Sequence, residues 1–226
     1  IKLAFSLIKE ERLANAYEIE ILKQYSGFGG LKFVLFDPVK DVHKFANYEK
    51  GFIEPLKDLH DFIQENTADQ TEYRAYIRAM KESVLTSFYT PTEVVNVIAE
   101  TFKENNVTIN NLLEPSAGQG NFIEGFKDQA NSIRAFEKDM LTGLVLKCIY
   151  PDYRVTIDGF ETIKPREKET FDVAVSNVPF GDIAVFDDDF IRKGDKAQKY
   201  STRYIHDYFF LKSLDMVRDG GVVAFI

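Results

Sequence analysis

Two patterns of apolar positions divide the chain. Over residues 1 to 85 apolar side chains recur at helical spacing among charged and aromatic residues, with few runs suited to strands. From residue 86 to 226, short apolar runs ending in acids, glycines or prolines alternate with stretches of helical period. That alternation predicts an α/β region with a parallel sheet, preceded by a helical extension. In the extension, Glu10 to Tyr25 reads as a helix closed by Gly27. Asp69-Gln70-Thr71-Glu72 resembles a capping box opening a helix with Tyr73, Ile77, Met80 and Val84 on one face. Ser26-Gly27-Phe28-Gly29-Gly30 reads as a turn, because no strand precedes it and no Lys-Ser/Thr follows. Thr90-Pro91-Thr92-Glu93 reads as a helix start with Thr90 as N-cap and Pro91 in the first turn, followed by Val94, Val95, Ile98 and Phe102.

Strands are expected over Asn111–Leu113, Ser132–Phe136, Arg154–Ile157, Phe171–Val175 and Val222–Ile226. Helices are expected at Met140–Ile149 and Arg203–Val217, the last burying Ile205, Phe209, Leu214 and Val217. The first four strands run into Glu114, Glu137, Asp158 and Asn177, so four polar groups would meet on the carboxyl rim of one sheet, where such sheets bind ligands. Glu114-Pro115-Ser116-Ala117-Gly118-Gln119-Gly120-Asn121-Phe122 combines an acid with a Gly-x-Gly turn opening a helix, which lets a backbone approach a ligand closely. Glu137 suits a ribose diol, and Asp158 with Phe160 suits an adenine ring. Ser176-Asn177-Val178-Pro179-Phe180-Gly181 places a carboxamide, a stiff turn and an aromatic ring together, as recognition of an exocyclic amine on a planar base would require. Asn-x-Pro is also an ordinary turn initiator, and by itself the segment fits either reading.

Charge changes the picture of partners. The chain has Lys+Arg 28 against Asp+Glu 36, a net charge of −8, which argues against free-standing binding to a polyanion. The local exception is Arg192, Lys193, Lys196, Lys199 and Arg203 beside Tyr200 and Tyr204, either a solvated mobile loop or a phosphate contact. Asp187-Asp188-Asp189 reads as a solvated acidic bend and not a metal site, since it lacks alternating ligand spacing; no metal is expected. The lone Cys148 excludes an internal disulfide and reads as an inert buried thiol in a reducing cytoplasm. His206, Tyr208 and Phe210 read as packing residues. No apolar run approaches the roughly 20 residues of a bilayer span, so no membrane partner is expected.

The order of these motifs resembles the S-adenosylmethionine-dependent DNA N6-adenine methyltransferases, over about residues 86 to 226. Glu114 to Phe122 is similar to the family's cofactor loop, Glu137 with Lys138 to its ribose-binding position, and Asp158-Gly159-Phe160 to its adenine-binding position. Asn177-Val178-Pro179-Phe180 resembles its catalytic Asn-Pro-Pro-Phe, and Ser87-Phe88-Tyr89-Thr90-Pro91 the segment at the methionine end of the cofactor. With Tyr25-Ser26-Gly27-Phe28-Gly29-Gly30 and Asn177-Val178-Pro179-Phe180-Gly181 together, the whole chain most resembles methylase regions of bacterial mobile-element methylase-helicase proteins. The resemblance implies a Rossmann-like sheet, S-adenosylmethionine as cofactor, DNA as substrate and a fused or associated helicase. Because the family sheet has seven strands and five are visible, it also implies that a downstream DNA-recognition region lies outside this chain. Val178 stands where the family has proline, which keeps the carbonyl acceptor but predicts a less rigid turn. Another amine or amide acceptor, such as an RNA base or a protein glutamine, and a non-catalytic binding module are the alternative readings.

Overall fold

The structure is a computed structural model that describes residues 1–226 apart from the side chains of residues 85 and 86. In chain order its regular elements are α1 (Lys2–Lys9), α2 (Ala16–Leu22), α3 (Ile53–Glu65), α4 (Gln70–Thr86), α5 (Thr92–Glu104), β1 (Ile109–Glu114), α6 (Asn121–Phe126) and β2 (Ala130–Glu137). There follow α7 (Met140–Ile149), β3 (Arg154–Ile157), β4 (Phe171–Ser176), α8 (Lys196–Ser201), α9 (Ile205–Met216) and β5 (Val217–Phe225). They form two compact units, residues 1–88 with 139–149, and residues 89–138 with 150–226.

The first unit is helical. Phe5, Val34, Leu56, Ile63, Tyr76, Met80 and Leu141 share its core, so α7, which connects β2 to β3 along the chain, packs with α1, α2 and α4. The helix expected from Glu10 to Tyr25 is broken. Glu11 takes a left-handed φ of 50°, Arg12 bonds both Glu10 and Glu18, and α2 starts only after Asn15, whose side chain forms a capping box with Glu18. Asp69 caps α4 as expected, its Oδ1 accepting from Thr71 N and Glu72 N. The Ser26–Gly30 turn packs on the end of α4: Gly30 N donates to Val84 O, and a Cβ on Gly29 would collide with the Ser87 carbonyl. Cys148 is half-buried, and burial raises its thiol above the ordinary range.

The second unit is an α/β fold of the Rossmann-like kind. Its five strands are all parallel in the order β3-β2-β1-β4-β5, with β4 buried along its whole length. The strand expected from Val222 begins earlier, at Val217, and passes through a bulge whose Gly220 has a φ of 76°. Helix α5 begins at Thr92 with Pro91 as N-cap, so Thr90 does not cap it. Val95, Ala99 and Phe102 are buried there, while Val94 is exposed.

The acidic bend is corrected most clearly. Asp187 is 3% exposed, and its carboxylate accepts from Tyr208 Oη (2.7 Å), Lys212 Nζ (2.8 Å) and Phe190 N (3.0 Å). Burial alone would raise this carboxyl, but the Lys212, Tyr208 and Phe190 donors together outweigh it and hold it below the usual carboxylate range. This demand turns α9. Tyr208, Phe209, Lys212 and Met216 face inward, and Leu214, expected in the core, is 47% exposed. Removing one partner of a buried pair leaves an uncompensated charge, so Lys212→Met should lower the unfolding free energy by about 3 to 5 kcal/mol in urea titration. Arg192→Ala, which breaks only the exposed pair with Asp188, should leave the midpoint unchanged. Equal midpoints for Lys212→Met and the parent would contradict the buried pair.

Candidate active site

The sheet order places a topological switch between β1 and β4, the two adjacent strands from which the chain departs in opposite directions. Ligands of such sheets bind outside the carboxyl ends of that pair. β1 ends at Glu114 and β4 at Ser176, and the two are joined: Ser176 Oγ donates to Glu114 Oε1 at 2.6 Å. Ser116 N donates to the same oxygen at 3.1 Å, whereas Oε2 is buried with no hydrogen-bond partner among the described residues. Glu114 is fully buried. Desolvation pushes its carboxyl up to about 8, against the opposing pull of the Ser176 and Ser116 bonds, so it is largely neutral at pH 7.

The glycine loop follows directly. Gly118 and Gly120 have φ values of 54° and 93°, a conformation other residues rarely adopt, and Gly120 is the N-cap of α6. Ala117 N donates to Phe136 O (2.8 Å) and Gly118 N to Glu137 Oε2 (2.7 Å), which fastens the loop to the end of β2. Asn121 Nδ2 donates to Thr90 O at 2.7 Å, which brings the Tyr89-Thr90 segment to the loop. The ring of Tyr89 lies over Gly118, where an added Cβ would come within 2.7 Å of Cδ1. A larger residue at Gly118 would therefore strike Tyr89 before any ligand. Thr90 is 7% exposed, and its hydroxyl has no partner among the described residues.

At the end of β3, Asp158 Oδ1 accepts from Gly159 N (2.8 Å). A Cβ on Gly159 would run into the Glu161 carboxylate, which Lys138 approaches to 4.0 Å. Two of the residues expected at the cofactor are buried here. Phe160 is 1% exposed, with its ring centroid 5.6 Å from Phe136 and 5.4 Å from Phe209, and Phe122 is 4% exposed on the inner side of α6. Both rings pack into the core.

At the end of β4, Asn177, Val178 and Pro179 are half-buried, and Phe180 is 79% exposed. The carboxamide of Asn177 has no hydrogen-bond partner among the described residues. Ile226 N donates to Ser176 O (3.0 Å) and Val178 N to Ile226 O (3.4 Å), so pairing with β5 continues into the turn. A proline could not make the second bond. The side chain of Val178 also packs against the core, so packing and a backbone bond supply the stiffness expected to be lost with the family's proline. Sequence reasoning missed the roles of Ser176, Asn121 and Glu161. Ser176 sits at the buried end of β4, one residue out of register with Glu114, so strand alternation gives no signal for the bond between them.

No family model matches this chain. A stretch of 143 residues is 32% identical to the Defense against restriction protein B of Escherichia phage P1. That stretch is 63% of this chain and 6% of the phage protein's length. Among solved structures, the type IIG restriction endonuclease BpuSI superposes with a TM-score of 0.51 at 16% identity, over 99% of this chain and 30% of the enzyme. An S-adenosylmethionine-dependent methyltransferase from Clostridium acetobutylicum gives a TM-score of 0.41 at 17% identity, over 60% and 50% of the two chains. At these identities the BpuSI likeness concerns the fold.

The Glu114 carboxyl provides a direct check of the crevice. Its value in the folded chain lies above the ordinary 4.5, so the native state holds this proton longer than the unfolded state. Its contribution to stability is therefore lost as pH rises from about 4.5 through about 8. Glu114→Gln cannot ionise and keeps the oxygen that accepts from Ser176. Relative to the parent, the variant should be least favoured near pH 5 and gain steadily towards pH 9 in urea titrations. A difference that stays flat over that range would contradict a buried, neutral Glu114.

Proposed function

We propose that this chain is a methyltransferase region that uses S-adenosylmethionine to methylate N6 of an adenine extruded from DNA. The observation that carries the reading is the Ser176–Glu114 bond, since it joins the residue before the Asn177 turn to the first residue of the glycine loop. The acceptor turn and the cofactor loop then open on one crevice. The restriction endonuclease fold and the phage restriction-defence relative accord with this reading.

The residues fit the cofactor. Gly118 and Gly120 allow close backbone approach, and Glu137 and Asp158 stand at adjacent strand ends where hydroxyl and amino groups of a nucleoside would lie. The buried Thr90 hydroxyl and Glu114 Oε2 have no partner among the described residues, as expected of groups that meet a polar ligand. When bound, S-adenosylmethionine supplies an electrophilic methyl on a sulfonium. Tyr89, Thr90, Glu114 to Gly120, Glu137, Lys138 and Asp158 would hold it.

The chemistry left to the chain is to raise the nucleophilicity of an aryl amine, whose lone pair is delocalised into the ring. Asn177 Oδ1 and the Val178 carbonyl would accept the two amine hydrogens and favour a pyramidal nitrogen. The lone pair would then point at the methyl. Phe180 would stack on the extruded base and offset stacking lost from the duplex, on the order of 1 to 3 kcal/mol.

The test separates binding from transfer. In the full-length protein, Asn177→Ala should leave the calorimetric affinity for S-adenosylmethionine unchanged while lowering methyl transfer to DNA about 100- to 1,000-fold, the scale of one lost preorganised hydrogen-bonding group. Parental turnover in that variant would reduce Asn177 to a turn residue, and absence of cofactor binding in the parent would overturn the methyltransferase reading.

A further inference from the structure

Beyond Phe180 and an irregular stretch, the chain turns helical at Asp189–Lys193 and again in α8, and the charges there sort into two groups. Arg192 pairs with Asp188 at 2.6 Å, Lys193 pairs with Asp189 at 2.7 Å, and Asp187 is consumed internally by Lys212. Lys196, Lys199 and Arg203 are exposed, and no carboxylate lies within ion-pair distance of them among the described residues. With Gly194, Asp195 and Tyr200 they line a surface groove of about 490 Å³. The Arg203 guanidinium stands 5.0 Å from the centroid of the Tyr200 ring, which is 54% exposed.

The groove is rigidly held from below. Asp195 caps α8 through Gln198 N (2.8 Å), Gln198 Nε2 donates to Asp215 Oδ2 on α9 (2.9 Å), and Val185 N donates to Thr202 O (2.8 Å). Ser201 and Thr202 are buried beneath it. Three uncommitted cations on an anchored scaffold lose little freedom on meeting an anion, and they form a cationic face on a chain of net charge −8. Lys196 and Lys199 lie one turn apart on α8 and Arg203 lies in the turn that follows it, so the three charges are spread out and suit successive charges along a strand better than one compact anion.

We propose that the α8 groove grips the phosphate backbone of the substrate DNA, with Lys196, Lys199 and Arg203 each neutralising one phosphate, so that the base to be extruded is held beside the Asn177 turn. This rests on the methyltransferase reading and adds to it the surface that holds the DNA. The site is distinct from the cofactor crevice, because none of its residues belongs to the glycine loop or to a strand end.

The test compares two equally charged triple variants of the full-length protein: Lys196→Gln, Lys199→Gln, Arg203→Gln against Lys9→Gln, Lys50→Gln, Lys103→Gln. Fluorescein-labelled duplex DNA is titrated by anisotropy from about 50 to 200 mM salt, a range over which phosphate contacts dominate affinity. Removing three phosphate contacts should weaken binding at least tenfold at low salt. It should also make the slope of log K against log salt shallower by about 2.7, at about 0.9 per contact. KM for DNA should rise while kcat at saturating DNA and the affinity for S-adenosylmethionine stay unchanged, and the control triple should match the parent. The single Lys199→Gln, which disturbs folding least, should make the slope shallower by about 0.9. A groove triple with the parental slope, or an equal loss in both triples, would overturn the groove. So would tighter parental binding to RNA of the same sequence. Because cofactor affinity is read separately, loss of S-adenosylmethionine binding in the parent with the DNA effect intact would condemn the methyltransferase reading and not the groove.

Discussion

One buried hydrogen bond, from the Ser176 hydroxyl to the Glu114 carboxyl, constrains the whole carboxyl rim of the sheet. It crosses from β1 to β4 at the point where the chain's connections diverge. No crossover covers that point, which is where sheets of this order bind their ligands. The glycine loop and the Asn177 turn hang from its two ends. Ser116 and the glycine loop continue from Glu114, and Asn177, Val178, Pro179 and Phe180 continue from Ser176. Ala117 and Gly118 fasten the loop to β2, and Ile226 fastens the turn to β5, so both sides of the crevice rest on regular strands. Sites built on strand ends hold their geometry better than sites on free loops.

The same strand pair holds a second buried acid with the opposite behaviour. Asp172, near the start of β4, is desolvated too, yet Asn111 N, Arg218 Nε and Asn110 N donate to it and draw its carboxyl below the usual range. It stays ionised and ties β1, β4 and β5 together at the amino ends of the strands. Glu114 has no cation, and one oxygen lacks a partner, so desolvation dominates. A satisfied carboxylate serves the fold at one end, and an unsatisfied carboxyl stands at the end where ligands bind. That asymmetry is what strand chemistry at a functional rim predicts, since polar groups without internal partners are retained where something else can meet them.

Much of this was legible in the chain. Apolar runs ending in Glu114, Glu137, Asp158 and Ser176-Asn177 mark strand ends, because a charge inside a buried parallel strand needs a partner of its own, as Arg134 of β2 has in Glu167. Gly118 and Gly120 mark a left-handed turn because other residues resist positive φ. The losses came wherever a distant partner decided the outcome. Asp187 looked like part of a solvated acidic run, but Lys212 and Tyr208, more than twenty residues later, take it inside. Phe160 looked like a stacking ring beside an acid, but Phe136 and Phe209 enclose it. Thr90 fits every local rule for an N-cap, yet α5 starts after Pro91, while the Thr90 carbonyl is held by Asn121. The basic run after Phe180 looked equally like a mobile loop, and only the Gln198–Asp215 and Val185–Thr202 bonds reveal an anchored helix.

The proposed reaction depends on two acceptors, Asn177 Oδ1 and the Val178 carbonyl, meeting an exocyclic amine of adenine in DNA. The most direct measurement is mass spectrometry of nucleosides, and in parallel of RNA and protein, after incubating the full-length protein with DNA and deuteromethyl-labelled S-adenosylmethionine. The account predicts the label on N6 of deoxyadenosine. Label found only on N4 of cytosine, only in RNA or only on protein glutamine would contradict it.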